Sequence, residues 1–254
     1  MNQQRTWFIT GGAGGIGKCL VYYLIGLKEK VVALDIKSHE LLEMKKILRN
    51  EHFYPYTCDL SHKASIDNVI EDLKTKDIHV DVLVHNAVFH QKGMMETNYD
   101  DMVLGMKVNV VAPMYLTKSL VPLLNPLSSV IHILSTRSKQ SEPNSENYAA
   151  AKGALSSLTH AMMMSLKGIA RVNAISPGWI DTSSCEIQSK TFQMADHLQH
   201  PSQRIGAPMD IIDALLFLAD PKHSFINGET IVVDGGMSKM MVYHNDHGWT
   251  YQPK

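Results

Sequence analysis

Three side chains in this sequence have the types and spacing for acid–base work on an alcohol. Tyr148 and Lys152 lie four positions apart, and Ser135 stands thirteen positions upstream of the tyrosine. On a helix, a separation of four places two side chains on one face. An ammonium beside a phenol favours the phenolate, so the spacing predicts a tyrosine that ionises more easily than a free one. A serine hydroxyl close by can hold a carbonyl oxygen. Together the three can move a proton on or off an alcohol while another group moves a hydride.

A second cluster can supply the hydride carrier. Thr10-Gly11-Gly12-Ala13-Gly14-Gly15-Ile16-Gly17 follows an apolar run and precedes a helical pattern. Glycines at such a junction let the backbone approach a pyrophosphate, and the helix N-terminus offers unpaired N–H groups to it. Asp35 lies eighteen residues past Gly17, at the end of the next apolar run. A carboxylate there can accept both ribose hydroxyls of an adenosine. It would also repel a 2′-phosphate, by about 4 kcal/mol for unit charges about 4 Å apart at an effective dielectric near 20. The expected cofactor is therefore NAD rather than NADP, although Lys37, two residues on, could reach a phosphate.

These residues need a scaffold that brings 11–17, 35, 135 and 148–152 together. Strand-length apolar runs cover Thr6–Thr10, Val31–Asp35, Phe53–Asp59, Val80–Asn86, Ser129–Ser135, Arg171–Ser176 and Thr230–Asp234. Helical patterns lie between them, near 15–27, 39–49, 62–75, 97–124, 146–167 and 208–219. Several strands are continuous Val/Ile/Leu, as in a parallel sheet covered on both faces. The alternation predicts an α/β fold, a single-domain doubly wound parallel β-sheet of Rossmann type with helices on both faces, spanning 1–254. Residues 178–207 show no clear apolar stripe and read as a substrate loop. The tail, 237–254, carries Trp249 and Tyr251, which invite docking on a neighbouring subunit or over the site.

The bulk properties exclude several classes. A hydrophobic fraction of 44% is ample for a core, and a formal charge of −1 offers nothing to nucleic acid or an anionic membrane. The chain has thirteen histidines, but the pairs His197/His200 and His244/His247 lack the supporting ligands of a metal centre, and none is expected. Cys19, Cys58 and Cys185 are odd in number and widely spaced, so no disulfide framework and a reducing compartment are expected. The first apolar run breaks at Gly11-Gly12, too soon for a signal peptide or a membrane span, and the expectation is a cytoplasmic protein.

In order and spacing, these residues resemble the short-chain dehydrogenase/reductase family over nearly the whole chain. The glycine segment matches its Thr-Gly-x-x-x-Gly-x-Gly, with Gly14 where NADP-using members often carry a basic residue. Cys58-Asp59-Leu60 is similar to the family's pair beside the adenine. His85-Asn86-Ala87-Val88 is similar to its Asn-Asn-Ala-Gly, with His85 and Val88 departing from it. Asp234-Gly235-Gly236 matches a signature after the last strand. The resemblance implies catalysis by Asn109, Ser135, Tyr148 and Lys152. It implies cofactor contacts from Gly11, Gly14, Gly15, Ile16, Gly17, Asp35, Ile36, Asp59, Leu60, Asn86, Ala87, Tyr148, Lys152, Pro177, Gly178, Ile180 and Thr182. Lys152 would hold the nicotinamide ribose, and Asn109 would anchor a water linking Lys152 to solvent. A homotetramer (or homodimer) built through the helices at 97–124 and 146–167 and the last strand is also implied.

The expected reaction interconverts a secondary alcohol and a ketone or aldehyde with NAD(H). The polar residues of 137–147 and of 181–205 suit a polyol, sugar or small hydroxy compound. Trp179, Phe192, Met194 and Leu198 would suit a hydroxysteroid, and a 3-oxoacyl-type reductase is a further alternative. A dinucleotide-sensing regulator without chemistry is the reading of another class, although such a protein is expected to lose Ser135, Tyr148 or Lys152. Met162-Met163-Met164 reads as adaptable packing.

Overall fold

The computed structural model describes residues 4–185, 192–248 and 250. Seven parallel strands form one sheet: β1 (Thr6–Thr10), β2 (Lys30–Asp35), β3 (Phe53–Thr57), β4 (Val80–His85), β5 (Leu124–Ile133), β6 (Ala170–Pro177) and β7 (Thr230–Val233). Their order is β3-β2-β1-β4-β5-β6-β7. The chain therefore runs outward from β1 to β3, then returns to β4 on the other side of β1. The β1/β4 boundary is the topological switch point, where the loops after neighbouring strands diverge and leave a crevice for a ligand.

Side-chain alternation along the strands explains the continuous apolar runs. In β1, Trp7 and Ile9 enter one core, with Leu20, Leu24, Ile211 and Leu215. Phe8 between them enters the opposite core, with Val69, Leu73, Leu116 and Val130. The first core is roofed by α1 (Gly15–Gly26) and α8 (Pro208–Ala219). The second is roofed by α3 (Lys63–Thr75), α5 (Ala112–Leu120) and α6 (Glu146–Ser165). α2 (Ser38–Leu48) packs Leu41 and Met44 into the first core. Both faces of β1 are therefore sealed, and its five residues are all buried.

Two elements differ from the sequence reading. The helix expected over 97–124 is divided into α4 (Tyr99–Met106), a π-helical turn (Lys107–Val111) and α5. Asn98 caps α4 by accepting from the Asp101 N–H at 2.8 Å. Pro113 explains the break. An α-helical hydrogen bond to the Asn109 carbonyl would have to come from residue 113, and proline has no N–H. The helix widens instead, and the Ala112 N–H bonds the Lys107 carbonyl five residues back. The other difference lies in 178–207, where a short helix, α7 (Met194–Leu198), forms and residues 186–191 are outside the described residues. Ile180 bridges to Gly206, closing that excursion at its base. Trp249 and Tyr251 also lie outside the described residues.

No helix among the described residues is long and apolar enough to cross a membrane.

Candidate active site

The glycine segment leaves β1 at the switch point. Gly11 has φ +68°, and a Cβ there would lie 2.8 Å from the Ala87 Cα. A Cβ on Gly17 would collide with the Gly11 carbonyl. Both positions therefore need glycine, and the packed turn brings the start of α1 up to the crevice. Gly14 is the residue before the helix, and neither a capping side chain nor an acidic residue occupies the first turn. The first N–H groups of α1 are left for an anion, as a pyrophosphate cradle requires. The Thr10 hydroxyl accepts from the N–H groups of Asn86 and Ala87, both at 3.1 Å, and Asn86 Nδ2 donates back to the Thr10 and Gly11 carbonyls. Thr10 thus locks the ends of β1 and β4 together, a role its place in the glycine motif hinted at without assigning.

Asp35 ends β2 with its carboxylate turned toward this loop. Oδ2 accepts from the Ala13 N–H at 2.9 Å and Oδ1 from the Lys37 N–H at 3.0 Å. Lys37 Nζ reaches over the segment, 3.8 Å from where a Gly14 Cβ would stand. Asp59 is tied to Ser61 and His62, Leu60 packs at the second core, and Ile36 is exposed beside the crevice. From β6, the chain through Pro177, Gly178, Ile180 and Thr182 crosses back to the cradle, and the Thr182 methyl lies 3.5 Å from the Gly15 Cβ position. Gly178 is required where it passes Asp234, whose Cβ would be 2.6 Å from an added one.

That return segment is also bonded covalently to α1. Cys19 and Cys185 form a disulfide, with 5.4 Å between their Cα atoms, and Cys58 is the buried free thiol. One bond therefore forms where the cysteine count had suggested no disulfide framework. The two cysteines are 166 residues apart, and only the crossing after β6 makes them neighbours. The number of cysteines by itself therefore does not fix the compartment.

Ser135, Tyr148 and Lys152 converge at the ends of β5 and α6. Ser135 is just past β5, and its Oγ accepts from the Arg137 N–H at 3.2 Å. Lys152 Nζ lies 5.5 Å from the Tyr148 ring centroid and donates to the Ile133 carbonyl at 2.7 Å. With Lys152 only 3% exposed, burial pulls its pKa down to about 8. The phenol does not behave as the spacing alone suggested. Burial raises the Tyr148 pKa; the Ser135 hydroxyl and the Arg137 charge oppose this without overcoming it. In the protein by itself, desolvation outweighs the attraction of neighbouring cations. Arg137 Cζ is 5.6 Å from the ring centroid.

Asn109 is fully buried in the π-helical turn. Its Oδ1 accepts from the Phe89 N–H at 2.7 Å, and its Nδ2 donates to the Phe89 carbonyl at 3.0 Å. The side chain therefore fixes the strand of chain after Val88, which delivers His90 to the site. His90 stacks on Tyr148 at 5.6 Å with planes 9° apart. His90 is a contributor that sequence reasoning missed, and Arg137, expected only as part of the substrate pocket, also reaches the phenol. Nothing in the sequence marks His90. Behind the site, His85 and His132 are fully buried and adjacent, 5.2 Å between ring centroids. His85 Nε2 bonds Thr117 and His132 Nδ1 bonds Thr159.

Comparison with known proteins agrees with this architecture. Residues 11–238 match a family model described as enoyl-(acyl carrier protein) reductase. An uncharacterized oxidoreductase of Thermotoga maritima is 36% identical over 257 residues, covering 96% of this chain and 99% of its own. A 3-oxoacyl-(acyl-carrier-protein) reductase FabG of the same organism is 28% identical, covering 92% and 97%. Among solved structures, an apo SCOR enzyme from Clostridium thermocellum superposes with a TM-score of 0.88 at 35% identity over 100% of both chains. A glucose/ribitol dehydrogenase-type short-chain dehydrogenase/reductase from Brucella melitensis gives 0.84 at 29% identity, covering 94% and 97%. The chain belongs to the short-chain dehydrogenase/reductase family: it is an oxidoreductase built to use a nicotinamide dinucleotide on small-molecule substrates.

Proposed function

We propose that this protein is an NAD(H)-dependent dehydrogenase/reductase that interconverts a secondary alcohol and its carbonyl compound. The observation that carries the reading is the convergence of Ser135, Tyr148 and Lys152 beside a glycine cradle that admits no side chain at Gly11 or Gly17. The bound nicotinamide supplies or accepts the hydride. Gly11, Gly14, Gly15, Ile16, Gly17, Asn86, Ala87, Pro177, Gly178, Ile180 and Thr182 would hold it, with Asp59 and Leu60 toward the adenine and Asp35 and Ile36 toward the adenosine ribose.

Ser135 holds the carbonyl oxygen, and Tyr148 exchanges the proton with it. The raised pKa of the isolated site favours the neutral, proton-donating phenol. In the oxidising direction, the Lys152 ammonium and a cationic cofactor ring would favour the phenolate. Lys152 would also bond the nicotinamide ribose. Asn109 contributes through its main chain: its amide is committed to Phe89, while its carbonyl lacks an α-helical donor because residue 113 is proline. That carbonyl is the atom proposed to hold a water leading from Lys152.

NAD is favoured over NADP because the Asp35 carboxylate already faces the cradle. The exposed Met106, Val111 and Met114 on the α4–α5 face and Met164 on α6 suit the proposed homotetramer. Residues 178–207 would cover the substrate. Tyr148→Phe tests the assignment: turnover should fall at least about a thousandfold while NADH binding persists. A variant retaining more than a tenth of wild-type turnover refutes it. A higher kcat/KM with NADPH than with NADH would refute the role of Asp35.

A further inference from the structure

We propose that Arg137, assisted by His90, selects substrates that carry a carboxylate near the reacting carbonyl; this deepens the reading above and rests on it. The main-chain N–H of Arg137 is bonded to Ser135 Oγ, and its guanidinium carbon lies 5.6 Å from the Tyr148 ring centroid. A carbonyl seated between Ser135 and Tyr148 is therefore within a few bonds of a cationic fork. His90 lies along the same phenol, exposed, and its ring nitrogens have no hydrogen-bond partner among the described residues. The Lys152 and Arg137 charges both lower the His90 pKa, and both groups lie against the Tyr148 ring, at 5.5 and 5.6 Å from its centroid. These two cations flank the place where a substrate anion would lie, and the one carboxylate paired with them among the described residues is that of the exposed Glu142.

The guanidinium already shows its preferred ligand. It pairs with the Glu142 carboxylate, which belongs to an exposed loop over 139–144. Both side chains are substantially exposed, 42% and 54%, and a pair of that kind holds little energy of its own. An incoming carboxylate can replace Glu142 at little cost and gains the two-pronged geometry that arginine offers and lysine does not. His90, stacked on the same phenol, adds a ring N–H donor. The polar loop residues Ser138, Gln140 and Ser141 then suit hydroxyl groups farther along the same molecule. The substrate class is thus a hydroxy or oxo carboxylic acid, sugar acids included, rather than an uncharged sterol.

The test uses 2-, 4- and 5-oxohexanoate, each against its methyl ester. Binding to the protein–NADH complex is followed by the cofactor fluorescence, and turnover is measured in parallel. At least one acid should bind at least about tenfold more tightly than its ester. Arg137→Gln should bring that ratio toward one, and Glu142→Gln should raise it by removing the competitor. Arg137→Lys should restore only part of it. If every acid and ester bind alike, or if Arg137→Gln leaves the ratio unchanged, the proposal is overturned. An acid preference in a protein whose Tyr148→Phe variant still turns over would uphold Arg137 and overturn the catalytic reading, so the two failures are distinguishable.

Discussion

Replacing Lys152 with methionine should abolish turnover and make the cofactor-free protein more stable. The ammonium is buried, and its hydrogen bond to the Ile133 carbonyl at 2.7 Å is its one polar partner among the described residues. Its pKa falls from 10.5 to about 8 because water is excluded. At about 1.4 kcal/mol per unit, holding the charge costs the fold about 3 kcal/mol at pH 7, where folded and unfolded chains are both protonated. Losing the bond to Ile133 returns about 1 kcal/mol of that. Lys152→Met should therefore be about 2 kcal/mol more stable at pH 7. Between pH 8 and 10.5 the unfolded chain binds more protons at this residue than the folded one, so wild-type stability rises with pH there. The advantage of the variant should shrink to near zero by about pH 9.5. Urea unfolding of both proteins at pH 7 and 9.5, without cofactor, measures this, and other titrating groups cancel in the difference. A variant less stable than wild type at pH 7, or a difference that ignores pH, would show that Lys152 is not held at the expense of the fold.

His132 should set an acid limit. Burial and the nearby Lys152 charge lower its pKa to about 4, so it folds neutral while the unfolded chain protonates below its ordinary 6.5. About 3 kcal/mol of stability should be lost as pH falls from 6.5 to 4, and His132→Gln should flatten that slope in denaturant titrations. The Cys19–Cys185 bond closes a loop of 166 residues, for which chain entropy allows up to about 5 kcal/mol. Cys19→Ser, or a dithiol, should lower the urea midpoint, and denatured unreduced protein should show one thiol, that of Cys58. Three thiols would refute the bond.

Much of the scaffold was legible because a parallel sheet leaves a plain signature. Strands buried on both faces carry unbroken apolar runs, Trp7–Ile9 in β1 and Val82–Val84 in β4, and the helices between them must carry a stripe. The π-helical turn was not legible. Proline is tolerated near the start of a helix, so Pro113 gave no warning that residue 109 would lose its α-helical donor. Asn109 was singled out for its side chain, yet its amide serves Phe89. The Tyr148–Lys152 spacing correctly placed two side chains together. It misjudged the phenol because spacing reports proximity and not desolvation, and burial is decided by β5, β6 and the chain after Val88.

Local rules were thus enough to establish from the sequence itself the order of strands and helices, the glycine cradle, the terminal position of Asp35 and the Tyr–Lys face. Each depends on residues a few positions apart, where backbone geometry leaves few choices. Tertiary structure alone decided which distant groups meet. It brought Arg137 and His90 to the phenol, joined Cys19 to Cys185, and buried Lys152 and His132 deeply enough to shift their protonation. Those outcomes depend on the exclusion of water and on through-space distance, and both exist only once the sheet and its helices have closed around the site.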